Sequence, residues 1–586
     1  MRLVIVESPN KTKKIREFLG AGYRVAASFG HIRDLPAAGG LSVSFRDGRV
    51  EPHYQPLERA GRAIADLLSL AAQAEEILLA TDPDREGEAI AWHIAQILAV
   101  PCRRVTFQAI TKAAVLAAIQ QPRAVDQHLV DAQQARRVLD RVVGWLVSPT
   151  LWQVGKDAKS AGRVQSVALR FVAEREREIQ AFKGADYFTL LAKLERADTK
   201  PNFHAELITW KGEPLKQRLV DVAIADKTVA WCRKQPWLVH ACDRREAARN
   251  PPPPFTTATV QQAASVRLAL NPDVTMKQLQ QLFEDGHITY HRTDSVALEP
   301  DAIATARAVI SRDFPAKYLP AQPITHGQKN ANAQEAHEAI RPTHADTAAT
   351  VLGEAAALYR LIWERFIACQ MAAGRDQLTT IDVACAPSTF DLKGTLVPMG
   401  IFQAKGKVVL FDGWRRLTGD ATEEAKADTK KKGRPKKGAE TEDIVAELPL
   451  LNPGDPLNLL DLIAKQKSTK PPPRYTQASL IKKLEGDGIG RPSTYAPTMK
   501  TILDRGYIGE EKRMLHATDL GLRVTDFLVT RYAGNFIEKD YTAKLESRLD
   551  AIARGEADWQ QTVTAESFAI LGAAQKAGLR GNPLAE

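Results

Sequence analysis

At 586 residues, 44% hydrophobic and 6% aromatic, the chain is too long for one hydrophobic core and too apolar for wholesale disorder, so about three to five folded units are expected. Basic side chains outnumber acidic ones by 80 to 70, a net charge of +10 that suits an anionic polymer as partner without naming one. No apolar run approaches bilayer length, no secretory leader pattern is visible and the five cysteines form no Cys-x-x-Cys pair, so the expectation is a cytoplasmic protein with reduced thiols, no membrane contact and no zinc ribbon.

In chain order, the apolar run Leu3-Val-Ile-Val6 predicts a strand that leads through a polar turn into a helix, and Ile77-Leu-Leu-Ala80 predicts a second strand leading through Thr81-Asp82 into a helix. This alternation is the grammar of a parallel α/β sheet, in which reactive groups gather beyond the carboxyl ends of strands, where Glu7 and Asp82 fall. An α/β unit over 1–140 is expected. From about Asp131 to Ala181 the apolar positions Val138, Leu139, Val142, Val143 and Leu146 trace one helical face. Strand-like alternation returns over 188–250 and is punctuated by the four prolines Pro251 to Pro254. Residues 251–377 read as helical, 378–450 as strand-like again, and 451–575 as helical after Pro471-Pro-Pro473, with a polar tail over 576–586. The expected units are therefore 1–140; 141–187 with 451–575; 188–250 with 378–450; and 251–377. The stretch 423–443 is nearly all charge, Gly, Ala and Thr, a composition that cannot bury a core, and reads as a charged insertion.

Three sets of residues can carry chemistry. Asp82-Pro-Asp84-Arg-Glu86 spaces carboxylates two residues apart at a strand-to-helix turn, a way to hold a hard cation such as Mg²⁺. Acidic residues recur at that spacing by chance about once in a chain this long, so the context decides: the triplet follows a buried strand, and clustered carboxylates repel unless a cation offsets them. Glu7 and Lys11 would share the same sheet edge, where a carboxyl near other acids can donate a proton and an ammonium can hold a phosphate oxygen. Taken singly, both are also what an ordinary helix start carries. Tyr290 has Arg292 two residues on; a phenol with an ordinary pKa of about 10 needs nearby cations to attack as phenolate. One tyrosine beside one arginine is common, and a structural tyrosine is the default.

The blocks Val6-Glu-Ser-Pro-Asn-Lys-Thr-Lys13, Thr81-Asp-Pro-Asp-Arg-Glu-Gly-Glu88, Ser160-Ala-Gly-Arg-Val-Gln-Ser166, Pro254-Phe-Thr-Thr257, Thr289-Tyr-His-Arg-Thr-Asp-Ser295, Ala336-His-Glu-Ala-Ile-Arg-Pro342 and Gly488-Ile-Gly-Arg-Pro-Ser-Thr-Tyr495 stand in one order over most of the chain. In that order they resemble the signature blocks of type IA DNA topoisomerases, with phrases nearer to bacterial topoisomerase I than to topoisomerase III. The resemblance implies a multidomain fold of α/β plus α and β units: an N-terminal Toprim α/β domain followed by a toroid of helical and β-rich domains. The helical unit of 141–187 with 451–575 then binds single-stranded DNA, 188–250 with 378–450 forms a β-rich hinge, and 251–377 carries the nucleophile.

Residue by residue, the resemblance makes Tyr290 the nucleophile that forms a 5′-phosphotyrosine link. It makes Glu7 the general acid, Lys11 and Arg292 stabilisers of transition-state charge, and His337 an active-site histidine. Asp82, Asp84 and Glu86, with Glu7, become ligands of Mg²⁺, and Arg163, Gln165, Arg491, Ser493 and Thr494 a single-strand groove, although simple helix capping also accounts for such residues. His291 departs from the residue expected in that family at its place. The sequence has no Gly-x-x-x-x-Gly-Lys-Ser/Thr loop, which argues against ATP use. The expected partner is single-stranded and negatively supercoiled DNA, met by a monomer at the bacterial nucleoid. Lys432-Gly-Arg-Pro-Lys-Lys437 is similar to an AT-hook core, and a solvated basic linker is the blander alternative. Competing functions are a topoisomerase III-like decatenase, another Toprim enzyme such as a primase or nuclease that works without Tyr290, and a non-enzymatic single-strand-binding protein.

Overall fold

The computed structural model describes residues 1–196, 199–215, 219–327, 337–346, 351–390, 396–419, 444–445 and 447–584. The charged insertion at 423–443, with its AT-hook-like core, lies outside the described residues.

The chain begins with the strand Arg2–Val6, whose last four residues are buried, and Ser8 then caps the helix Pro9–Leu19 with Pro9 at its first turn. Four parallel strands form the N-terminal sheet in the order Tyr23–Ala27, Arg2–Val6, Glu76–Leu79, Arg103–Arg104. The order reverses at Arg2–Val6, since the next strand in sequence lies on one side of it and Glu76–Leu79 on the other. A crevice opens at such a switch point beyond the carboxyl ends of the two central strands, and Glu7 and Asp82 are the residues that emerge there.

Helix Gln127–Val147 buries one continuous apolar stripe, including Ala135, Val138, Leu139, Val142 and Leu146, against the helices Lys539–Ala553 and Trp559–Lys576. The boundary expected at 140/141 therefore falls inside one helix, whose 3.6-residue stripe runs across it without a break.

The strands Thr199–Trp210, Asp186–Arg196, Pro456–Ser468, Trp237–Arg249, Gly374–Phe390 and Leu396–Phe411 follow one another antiparallel in a single sheet. A further pairing of Thr199–Trp210 with Leu396–Phe411 closes these six strands into a ring. Alternate residues fill its interior, among them Leu194, Phe203, Val239, Val383 and Phe402. The segment Pro456–Ser468 was expected in a helical unit. It is a strand because it pairs along almost its whole length with Asp186–Arg196, a partner more than 250 residues away that no local pattern reveals.

The helices Thr257–Leu268, Pro272–Glu284 and Ala356–Ala368 share one core with Tyr290, and Pro300–Asp313 packs on the far side of Ala356–Ala368. Phe283, Ile288, Tyr290 and Tyr359 share one hydrophobic core with Val4, Val6, Val25 and Leu78 of the N-terminal sheet. Tyr290 itself lies in an extended segment, with Thr289 bridged to Ala109 and Ile288 bridged to Pro342. No described helix is long and apolar enough to cross a membrane.

Candidate active site

Glu7 and Lys11 are one helical turn apart, so their side chains meet, with Lys11 Nζ 3.2 Å from Glu7 Oε1. The Lys11 ammonium is fully buried and also donates to Asp82 Oδ1. Burial, then the neighbouring Asp82 charge, pushes the Glu7 carboxyl up to about 8, against the pull of Lys11. Glu7 is thereby held protonated at neutral pH. Burial alone would neutralise Asp82, but Lys11 and a hydrogen bond from Glu7 keep its carboxyl below the usual carboxylate range. Among the described residues Asp82 Oδ2 is buried with no hydrogen-bond partner.

Asp84 caps the helix Arg85–Leu98 by accepting the Gly87 amide on Oδ1 at 2.8 Å. Its other oxygen accepts the Tyr290 hydroxyl at 2.7 Å and lies 3.8 Å from Arg292 Nη1. Gly87 is required here: a Cβ would stand 2.1 Å from the carbonyl oxygen of Asp82. Burial, then the charges of Asp84 and Asp82, raise the Tyr290 phenol well above its ordinary 10, and Arg292 opposes them. The phenol is thus a neutral donor to Asp84 in this arrangement. Its backbone N–H donates to the Gln108 carbonyl at 2.8 Å, while Gln108 Oε1 is 3.0 Å from His337 Nδ1 and the His337 ring lies 5.7 Å from that of Tyr290. Phe283 packs edge-on to Tyr290 at 5.2 Å, with the Lys11 ammonium over its own ring at 5.2 Å. An open cleft of about 660 Å³, lined in part by Asn10, Lys277, Glu284 and Arg292, adjoins this group.

Glu86 does not join Asp82 and Asp84. It accepts from Gln133 at 3.1 Å and lies 3.4 Å from His31, and against burial these contacts and Arg136 bring its carboxyl down to about 2. Among the described residues no three His, Cys, Asp or Glu side chains converge as a metal cage. The carboxylate triplet separates because helical geometry turns Glu86 about 200° from Asp84, toward helix Gln127–Val147. Two carboxylates still suit Mg²⁺, which takes one or two protein ligands and fills its remaining positions with water and phosphate; the orphaned Asp82 oxygen beside Asp84 is such a place.

Arg163 is buried, with Nε 3.2 Å from Asp140 and Nη1 paired to Glu546. Arg491 pairs with Asp550, whose other oxygen is 3.1 Å from Arg85 Nη2. Thr494 closes a turn on Arg491, accepting its N–H at 2.8 Å and donating to its carbonyl at 2.9 Å. Gln165 folds back over Gly162, where an added Cβ would stand 2.1 Å from its amide nitrogen, and Ser493 is half-buried. Glu546, Asp550, Gln108 and Gln133 all escaped sequence reasoning. Their partners lie 47 to 465 residues away, and the one available signal was acidic residues recurring one turn apart on the helix Lys539–Ala553.

Residues 124–564 match the DNA topoisomerase family and residues 2–110 the Toprim domain. The chain belongs to the type IA DNA topoisomerase family. It is 42% identical over 579 residues to DNA topoisomerase 1 of Zymomonas mobilis, covering 96% of this chain and 45% of that protein. It is 39% identical over 582 residues to DNA topoisomerase 1 of Rickettsia felis, covering 96% of this chain and 71% of that one. The solved structure of full-length topoisomerase I from Thermotoga maritima superposes with a TM-score of 0.80 at 32% identity, over 99% of this chain and 91% of the other. The chain thus spans about half the length of the first of these topoisomerases and about seven to nine tenths of the others.

Proposed function

We propose that this type IA topoisomerase relaxes negatively supercoiled DNA by cutting one strand through Tyr290, passing a strand through the break and resealing it. The observation that carries the reading is the Tyr290 hydroxyl held 2.7 Å from Asp84, beside Arg292 and the buried Glu7–Lys11–Asp82 group. In the cleavage step the Tyr290 oxygen bonds to phosphorus as the bond to the 3′-oxygen breaks. The phenolic proton passes to Asp84 Oδ2 and the Glu7 carboxyl gives its proton to the departing 3′-oxygen. Lys11 and Arg292 stabilise the extra negative charge on the phosphate, and His337, fixed by Gln108, orients it. Asp82 and Asp84 would hold Mg²⁺, which when bound neutralises phosphate charge and fixes the strand. Glu86 is held apart from them by Gln133 and His31. The steps reverse for resealing, and because the phosphotyrosine link keeps the bond energy, no ATP is consumed.

Arg163, Gln165, Arg491, Ser493 and Thr494 are proposed to line the path of the single strand, and the enzyme is proposed to act as a monomer at the bacterial nucleoid. The test is negatively supercoiled plasmid with Mg²⁺ and without ATP, beside Tyr290→Phe. Wild type is expected to relax the plasmid and to retain label in the fragment whose 5′ end lies at the nick, and the variant to do neither. Equal relaxation by both proteins, or a 3′ link, refutes the proposal. Linked duplex circles in a parallel reaction separate relaxation from decatenation.

A further inference from the structure

Ser28, Phe29 and Gly30 cross the carboxyl end of the sheet beside Glu7. The Ser28 amide donates to the Val6 carbonyl at 2.8 Å and the Gly30 amide to the Glu7 carbonyl at 2.8 Å, while buried Ser28 Oγ donates to the Gly30 carbonyl at 2.9 Å. Between these anchors Phe29 has φ +58°, followed by Gly30 at +87°. Left-handed backbone suits Gly30, but at a bulky residue it costs about 1–3 kcal/mol. Folding does not recover that cost through the ring, which is 63% exposed and belongs to none of the described hydrophobic cores. A glycine would make the same turn without strain. An aromatic ring is thus held out at strained backbone on a turn anchored to the carbonyl of Glu7, whose side chain meets Lys11 and whose helix neighbour Lys11 meets Asp82.

We propose that Phe29 stacks on a nucleobase adjoining the scissile phosphate. This positions that nucleotide, so that its backbone is set between Glu7 and Tyr290. The inference rests on the cleavage reaction proposed above. Every base presents a π-face, so stacking here would grip the strand with little regard to sequence. The nearby cations Lys11 and Arg292 would draw in the phosphate while the ring orients the base.

The experiment uses the full chain, a single-stranded oligonucleotide containing a mapped cleavage site, and a set of the same oligonucleotide with one abasic position each near the cut. Phe29→Ala should weaken binding and raise KM for cleavage about tenfold, with a smaller effect on kcat. Phe29→Trp should restore both, and Phe29→Gly should lose them while unfolding no earlier than wild type. At one abasic position wild type should fall to the level of Phe29→Ala, and Phe29→Ala should lose nothing more. Wild-type binding by Phe29→Ala overturns the inference, as do losses that add at every abasic position. A wild-type protein that forms no covalent adduct overturns the cleavage reading and this inference together. Adduct formation with a dispensable ring overturns this inference alone.

Discussion

His93 and His291 are buried, and their rings are held neutral, with pKa values lowered to about 3 by burial and then by nearby guanidinium groups. An unfolded histidine titrates near 6.5, so the stability each contributes is complete above 6.5 and is lost as pH falls from there toward 3. Glu7 runs the other way, its raised carboxyl weakening the fold as pH climbs from 4.5 to about 8. Two histidines outweigh one carboxyl between pH 6.5 and 4.5, so acidification should destabilise the protein by about 1.4 kcal/mol per pH unit for each uncompensated proton. His93→Phe should flatten the fall in thermal midpoint between pH 7 and 5, since it removes one such proton from a pocket already lined by Tyr54 and Trp92; an unchanged slope would sink this account. At this scale the sequence was informative where chemistry is local. Tyr290, Glu7, Lys11 and Asp82 could be picked out because ordered blocks carry them. The neutral state of His291 could not be, because it comes from burial between Phe283 and Tyr290.

The start of the helix Arg85–Leu98 is the element on which the site turns. Strand Glu76–Leu79 delivers Asp82, the helix cap delivers Asp84, and Gly87 lets the first helical turn lie against the Asp82 carbonyl. Gly87→Ala would force these apart by an ångström or more, moving Asp84 away from the Tyr290 hydroxyl. We expect plasmid nicking and relaxation to fall at least about a hundredfold, as misplacement of that size does elsewhere, while circular dichroism stays close to wild type. Retained activity would mean that the tight approach is dispensable. The strand-turn-helix grammar of this element was readable from its apolar run and acidic turn. The departure of Glu86 was not, because His31 and Gln133 reach it from other elements, and neither was the strand Pro456–Ser468, which owes its conformation to a distant partner.

Across the whole molecule, the parts meet through buried charge as well as through the core that Tyr290 shares with the N-terminal sheet. Where the six-stranded ring meets the helices around Tyr290, fully buried Asp376 binds Arg249 at 2.8 Å, Arg415 at 2.7 Å and Lys407 at 3.4 Å. Asp376→Asn should cost about 3–5 kcal/mol, because it leaves cations without their counter-charge. The denaturant midpoint should drop and proteolysis at Pro251–Pro254 should quicken; a variant as resistant as wild type would show that the joint is held by other contacts. The multidomain plan was legible from the prolines and changes of periodicity, whereas closure of the ring was not, since it rests on pairings with no local signature. Arg85 has a consequence of another kind. Asp84, the cap, and Arg85, the first residue of the helix, are consecutive, the first holding the phenol and the second holding Asp550 of the helix Lys539–Ala553. On the cleavage reaction proposed above, a mechanical load on that helix reaches the phenol's partner through a single peptide unit.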